Sequence, residues 1–126
     1  MVTKLTDRVI EFGKELLKHL DSEDASISAC FWLYSSENGN WKLAFASPLT
    51  REYGPKRLFQ LVQSRILKDP RRTISLSDIT VLDDGSDFLK ALRSAIRTGP
   101  EVTEIQFTNN YIGGVLFEDL LIYRVN

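Results

Sequence analysis

Residues 26–47, SISACFWLYSSENGNWKLAFAS, decide the fold. The stretch is rich in aromatic and β-favouring residues, and Asn38-Gly39 is the strongest short hairpin signal available to it. A two-residue turn there predicts that Glu37 faces Asn40, Tyr34 faces Leu43 and Trp32 faces Phe45. One face of the hairpin then carries Trp32, Tyr34, Trp41, Leu43 and Phe45. The other carries Ile27, Ala29, Phe31, Leu33, Ala44 and Ala46. Both faces are apolar, so the hairpin needs a cover on each side, or on one side plus a partner.

Upstream, Leu5, Val9, Phe12, Leu16 and Leu20 fall on one helical stripe between Thr3 and Leu20. Gly13 lies on that stripe, where it costs about 1 kcal/mol of helix propensity relative to alanine; close approach of another backbone is the expected compensation. Downstream, Pro48 to Gly54 reads as a loop. Pro55 is placed to open a helix to about Lys68, and a strand is expected at Ile79–Leu82. Asp83-Asp84-Gly85-Ser86 supplies the turn and cap of a third helix from Asp87 to about Arg97. The last quarter predicts a second hairpin, 102–112 with 115–125. Gly113-Gly114 takes the turn, so that Phe107 faces Leu120, Ile105 faces Ile122 and Asn109 faces Glu118. Asn109-Asn110 is a competing turn. The reading is one α+β domain over residues 1–126, in the order α-ββ-α-β-α-ββ. It has three helices on a twisted, largely antiparallel sheet of about five strands.

Composition narrows the function. The chain has 126 residues, 16 Lys+Arg against 17 Asp+Glu, and a net charge of -1. That balance excludes binding to nucleic acid by bulk positive charge alone. Hydrophobic residues at 43% and charged residues at 26% are values of a folded globule, not of a disordered chain. The first ten residues lack the apolar stretch of a signal peptide, and no apolar run approaches membrane-spanning length, so a cytoplasmic protein without membrane contact is expected. A single cysteine, Cys30, and a single histidine, His19, leave no Cys/His metal cluster, no internal disulfide and little material for a nucleophilic triad. No catalytic residue, cofactor or metal is assigned on these grounds.

Three constellations remain. Seven basic residues and two acids occupy 51–72; six of these cations, Arg51, Lys56, Arg57, Lys68, Arg71 and Arg72, form a candidate anion or nucleic-acid site beside a helix start. Arg65 falls on the apolar side of its helix with Leu58, Leu61 and Val62, which predicts that it reaches a partner chain or a buried acid, with Glu118 or Asp119 of the run VLFEDLLIYRV as the candidate. Asp83, Asp84, Glu118 and Asp119 are the carboxylates available to a metal-assisted hydrolase. The nuclease pattern of an acid followed by acid-x-Lys is not met: the nearest match, Glu104-Ile105-Gln106, has Gln in place of Lys, and the upstream acids Asp83, Asp84 and Asp87 lie before or within a whole helix.

The segments FWLYSSENGNWKLAFASPL, GPKRLFQLVQSRI and SLSDITVLDDGSDFLKALRSAIRTGP resemble an uncharacterised family of small bacterial proteins. The ending IQFTNNYIGGVLFEDLLIYR is similar to the closing hairpin of that family. The resemblance implies a single bacterial cytoplasmic domain and carries no activity. The expected function is therefore a non-catalytic protein-interaction or accessory domain, with a protein partner or a second copy meeting Trp32, Tyr34 and Trp41. Nucleic-acid or phosphate-ligand binding through 51–72 and metal-assisted hydrolysis are the alternatives.

Overall fold

A computed structural model describes residues 1–108 and 110–126. The first hairpin is its centre: β1 (Ala29–Ser35) pairs antiparallel with β2 (Asn40–Ala46). Four residues rather than two make the turn. Gly39, at φ 67°, donates to the Ser35 carbonyl at 2.8 Å, and Tyr34 therefore faces Trp41 while Trp32 faces Leu43. The expected register is corrected by two positions. An even slip leaves every side chain on its face, so the two apolar sets survive, except that Ile27 precedes the strand and packs with the first set.

Both faces are covered from within the chain. On one side α1 (Asp7–Ser22) and α3 (Lys56–Leu67) bury Trp32, Leu43 and Phe45. On the other, α4 (Asp87–Ala95) covers Phe31, Ala44 and Ala46. The sheet is completed by β3 (Ile79–Leu82), parallel to β2, and by β7 (Leu120–Val125) and β4 (Ile105–Phe107), giving the order β3-β2-β1-β7-β4. A short helix, α2 (Leu49–Tyr53), stands where a loop was expected. Among the described residues no helix is long and apolar enough to cross a membrane.

The closing hairpin keeps its expected register, with Ile105 opposite Ile122 and Phe107 opposite Leu120. It divides, however, into two parts. Its tip, β5 (Asn110–Ile112) and β6 (Val115–Phe117), forms a separate ribbon turned by Gly113 and Gly114, both at positive φ. The break at Glu118-Asp119 swings Phe117 against Phe88, ring centroids 4.6 Å apart, on the α4 side of the sheet. The pairing of Asn109 with Glu118 and the competing turn at Asn109-Asn110 rest on Asn109, outside the described residues.

One irregularity governs the α1 side. The β1–β7 register shifts between Cys30 and Phe31, a bulge that lets the adjacent Tyr123 and Arg124 both reach α1. The Tyr123 hydroxyl accepts from Trp32 Nε1 at 2.9 Å and donates to the Ile10 carbonyl at 2.6 Å. Burial pushes this phenol well above its ordinary pKa, so it stays a donor. Gly13 therefore admits the Tyr123 ring and hydroxyl, a side chain rather than the expected backbone.

Candidate functional site

A cleft of about 480 Å³ lies between the end of α1 and the α2–α3 pair. Local sequence explains its walls. Asp24 takes the left-handed conformation (φ 54°) at the end of α1, where Asp24 N–H donates to the Asp21 carbonyl and Ala25 N–H to that of Leu20. These two bonds are a Schellman-type stop with aspartate in the position glycine usually fills. The Ser47 hydroxyl donates to the Ala25 carbonyl at 2.8 Å and accepts from Leu49 N–H at 3.2 Å, tying this rim to the start of α2. Gly54, at φ 75°, then turns the chain from α2 into α3.

The floor is apolar: Ala25 and Leu58 are buried and Leu61 is half-buried. On the wall, Leu49 is 37% exposed and Tyr53 68%. None of the five α2 residues is buried. Ser47, Thr50, Gly54 and the charged Glu23, Asp24 and Arg57 complete the lining, and none of the salt bridges among the described residues involves those three charges. Apart from Arg57, sequence reasoning missed this cleft. The available signal was Leu49 and Tyr53 at helical i,i+4 spacing just after Ser47-Pro48.

The six basic residues do not make one patch. Lys56 and Arg57 stand at the start of α3, and Lys68, Arg71 and Arg72 beyond its end, about 18 Å away for twelve helical residues. Arg51 leans toward Asp83 at 3.6 Å. Asp69, the acid inside the basic run, is buried and accepts from Thr73 N–H at 2.8 Å and Arg71 N–H at 3.1 Å.

Arg65 corrects an expectation. It meets neither Glu118 nor Asp119; it donates to Glu15 Oε2 at 3.0 Å and lies over the Phe12 ring at 5.3 Å. The helix stripe does carry it toward α1, where its guanidinium lies over the Phe12 ring and pairs with the half-exposed Glu15 at the surface. Arg65→Ala is accordingly expected to cost under about 1 kcal/mol in urea unfolding, as partly exposed pairs do. Glu118 instead accepts from Ser36 N–H at 3.2 Å, and the Asp119 carbonyl accepts from Tyr34 N–H at 3.0 Å.

The interface expectation is corrected in part. Trp32 is fully buried, held by Tyr123, and cannot meet a partner. Tyr34 and Trp41 are half-buried with ring centroids 5.2 Å apart. Trp41 N–H donates to the Val2 carbonyl at 2.7 Å, so Val2 covers the β2 edge beyond β3.

The four candidate metal-binding acids are also separated. Asp83 and Asp84 follow β3 at the sheet end that holds Ala29, Ala46 and Val125, whereas Glu118 and Asp119 precede β7 at the opposite end, roughly 20 Å away along the strands. Among the described residues no three His, Cys, Asp or Glu side chains are grouped to hold a metal ion. Asp84 accepts from Ser28 Oγ and from Arg93 Nη2, the latter at 2.6 Å. Burial raises its carboxyl pKa, but those two bonds and the Arg93 charge outweigh it and hold it below the ordinary value. The Asp69 carboxyl is lowered too, chiefly by the Thr73 amide. Both folded pKa values lie below their unfolded ones, so the stabilisation is present above the ordinary Asp pKa of about 3.9 and is lost as pH falls through the lowered values. Unfolding in urea from about pH 6 down to about pH 2.5 should show this loss, and Asp84→Asn should flatten it.

Cys30 is fully buried; burial pushes its thiol well above the usual range, only partly offset by Arg124. It has no means of forming a thiolate nucleophile at neutral pH. The Nε2 of His19 is buried without a partner among the described residues.

No protein-family model, no curated protein and no solved structure matches this chain. The site must therefore be read from its own chemistry.

Proposed function

We propose that the chain is a non-catalytic interaction domain, cytoplasmic and bacterial, that docks a protein partner on the face made by α2 and the start of α3. The observation that carries this reading is α2 itself: a helix that buries none of its residues and leaves Leu49 and Tyr53 open beside an apolar cleft. Exposed Tyr and Leu around a preformed apolar concavity are features of binding sites. The first hairpin, expected to supply the interface, supports it only as scaffold. Self-association is one form of the proposal, with a second copy as the partner. Quantitative capture of a partner by the immobilised protein tests it, with sedimentation at about 10 μM for the second copy. The Leu49→Ser/Tyr53→Ser variant should keep its fold and lose the partner. Equal capture or association by both proteins would sink the proposal.

A second reading, nucleic-acid or phosphate-ligand binding, has one observation in its favour. Because Asp69 turns its carboxylate onto backbone amides, it forms no ion pair with Lys68, Arg71 or Arg72. If these three contact phosphates, replacing them should lower the slope of log K against log salt by roughly 0.9 per lost contact on duplex DNA. No binding at low salt by the unmodified protein would remove this reading.

A further inference from the structure

The lining of the α2–α3 cleft states the chemistry of its occupant. Its floor and wall, Ala25, Leu49, Tyr53, Leu58 and Leu61, are apolar, and its volume of about 480 Å³ falls within the range of preformed ligand sites, roughly 300–1,000 Å³. The charges are of opposite sign on different elements: Glu23 and Asp24 at the end of α1, Arg57 on α3. They do not pair with one another, since none of the salt bridges among the described residues involves Glu23, Asp24 or Arg57. Two unpaired acids and an unpaired base around one apolar concavity complement a dipolar occupant, and they disfavour a simple anion or cation, which would meet one like charge at the rim.

The acidic rim is also set in place before binding. The stop at Asp24 is closed by the Ala25–Leu20 and Asp24–Asp21 backbone bonds, and Ser47 clamps the Ala25 carbonyl from the α2 side. An occupant therefore need not order this rim, which removes one of the usual costs of association.

Resting on the docking reading above, we infer that the partner is a protein segment of mixed charge: an apolar pair entering the cleft, flanked by a basic side chain toward Glu23 and Asp24 and an acidic one toward Arg57. Blocked peptides test it without terminal charges. The ¹⁵N-labelled protein is titrated to about 2 mM with Ac-Lys-Leu-Phe-Glu-NH2, with Ac-Glu-Leu-Phe-Lys-NH2 and with the neutral Ac-Gln-Leu-Phe-Gln-NH2. One of the charged peptides should shift the amides of Ala25, Thr50 and Leu61 and bind about fivefold more tightly than the neutral one. Arg57→Glu, a change at an exposed residue, should abolish that advantage, and Ac-Lys-Leu-Phe-Lys-NH2 should restore it for the variant. The inference is overturned if no peptide shifts these amides, or if charged and neutral peptides bind alike. Should that happen while Leu49→Ser/Tyr53→Ser still abolishes partner capture, the docking face stands and only its assigned chemistry falls. If capture also survives that double variant, both fall.

Discussion

Gly13→Ala is expected to destabilise the protein by about 2 kcal/mol, although helix propensity alone favours alanine by about 1 kcal/mol. The reason is the Tyr123 hydroxyl and ring, which occupy the place of the added methyl group. A flexible side chain would step aside. Tyr123 is fully buried and its hydroxyl is held at both ends, by Trp32 Nε1 and by the Ile10 carbonyl. Moving it breaks one or both bonds, and each buried group left unpaired costs about 1–3 kcal/mol. Tyr123→Phe should by itself cost a similar amount, because the Trp32 N–H loses its acceptor. The two substitutions act on the same atoms, so in urea unfolding their double variant should cost clearly less than the sum. Additivity, or stabilisation by Gly13→Ala, would mean that the ring moves freely.

How far such features were legible in the sequence depends on which rule they obey. The two apolar faces of β1 and β2 follow from strict alternation, and they withstand the wrong turn length because the error is an even number of residues. Ile79–Leu82 and the Gly113-Gly114 turn were readable for similarly local reasons: a short apolar run between turn residues, and two adjacent glycines that adopt positive φ. Gly13 announced a close approach but not its source. That source, Tyr123, lies on a strand whose alternation breaks at a bulge, and alternation puts Tyr123 and Arg124 on opposite faces. The same bulge turns Arg124 toward Asp21 on α1, a pairing that strand alternation does not show. The cleft was missed for another reason. Its side chains come from three segments, and only α2, read as a loop, carried a local signal.

Asp21→Ala should be the more damaging half of the Asp21–Arg124 pair, at about 3–5 kcal/mol. Arg124 is 6% exposed; it donates to Asp21 Oδ1 at 2.8 Å, to Asp21 Oδ2 at 2.9 Å and to the Ile27 carbonyl at 3.2 Å, while its Nε is buried without a partner among the described residues. The hydrogen bonds it donates to Asp21 hold the guanidinium pKa above even its ordinary value, so it stays charged at any workable pH. Without Asp21 a buried cation is left with one carbonyl. The reverse removal is milder, because the Asp21 side chain is 39% exposed and water can reach its carboxylate. Arg124→Met substitutes an apolar chain of similar reach and should cost only about 1–2 kcal/mol, mainly the unpaired Ile27 carbonyl. The decisive measurement is the double variant, Asp21→Ala/Arg124→Met, in urea unfolding. With no charge left to strand, it should recover most of the loss caused by Asp21→Ala and be more stable than that single variant by about 2 kcal/mol or more. If the double variant is instead the least stable of the three, the pair itself stabilises the fold, and the burial cost assigned to the lone arginine is wrong.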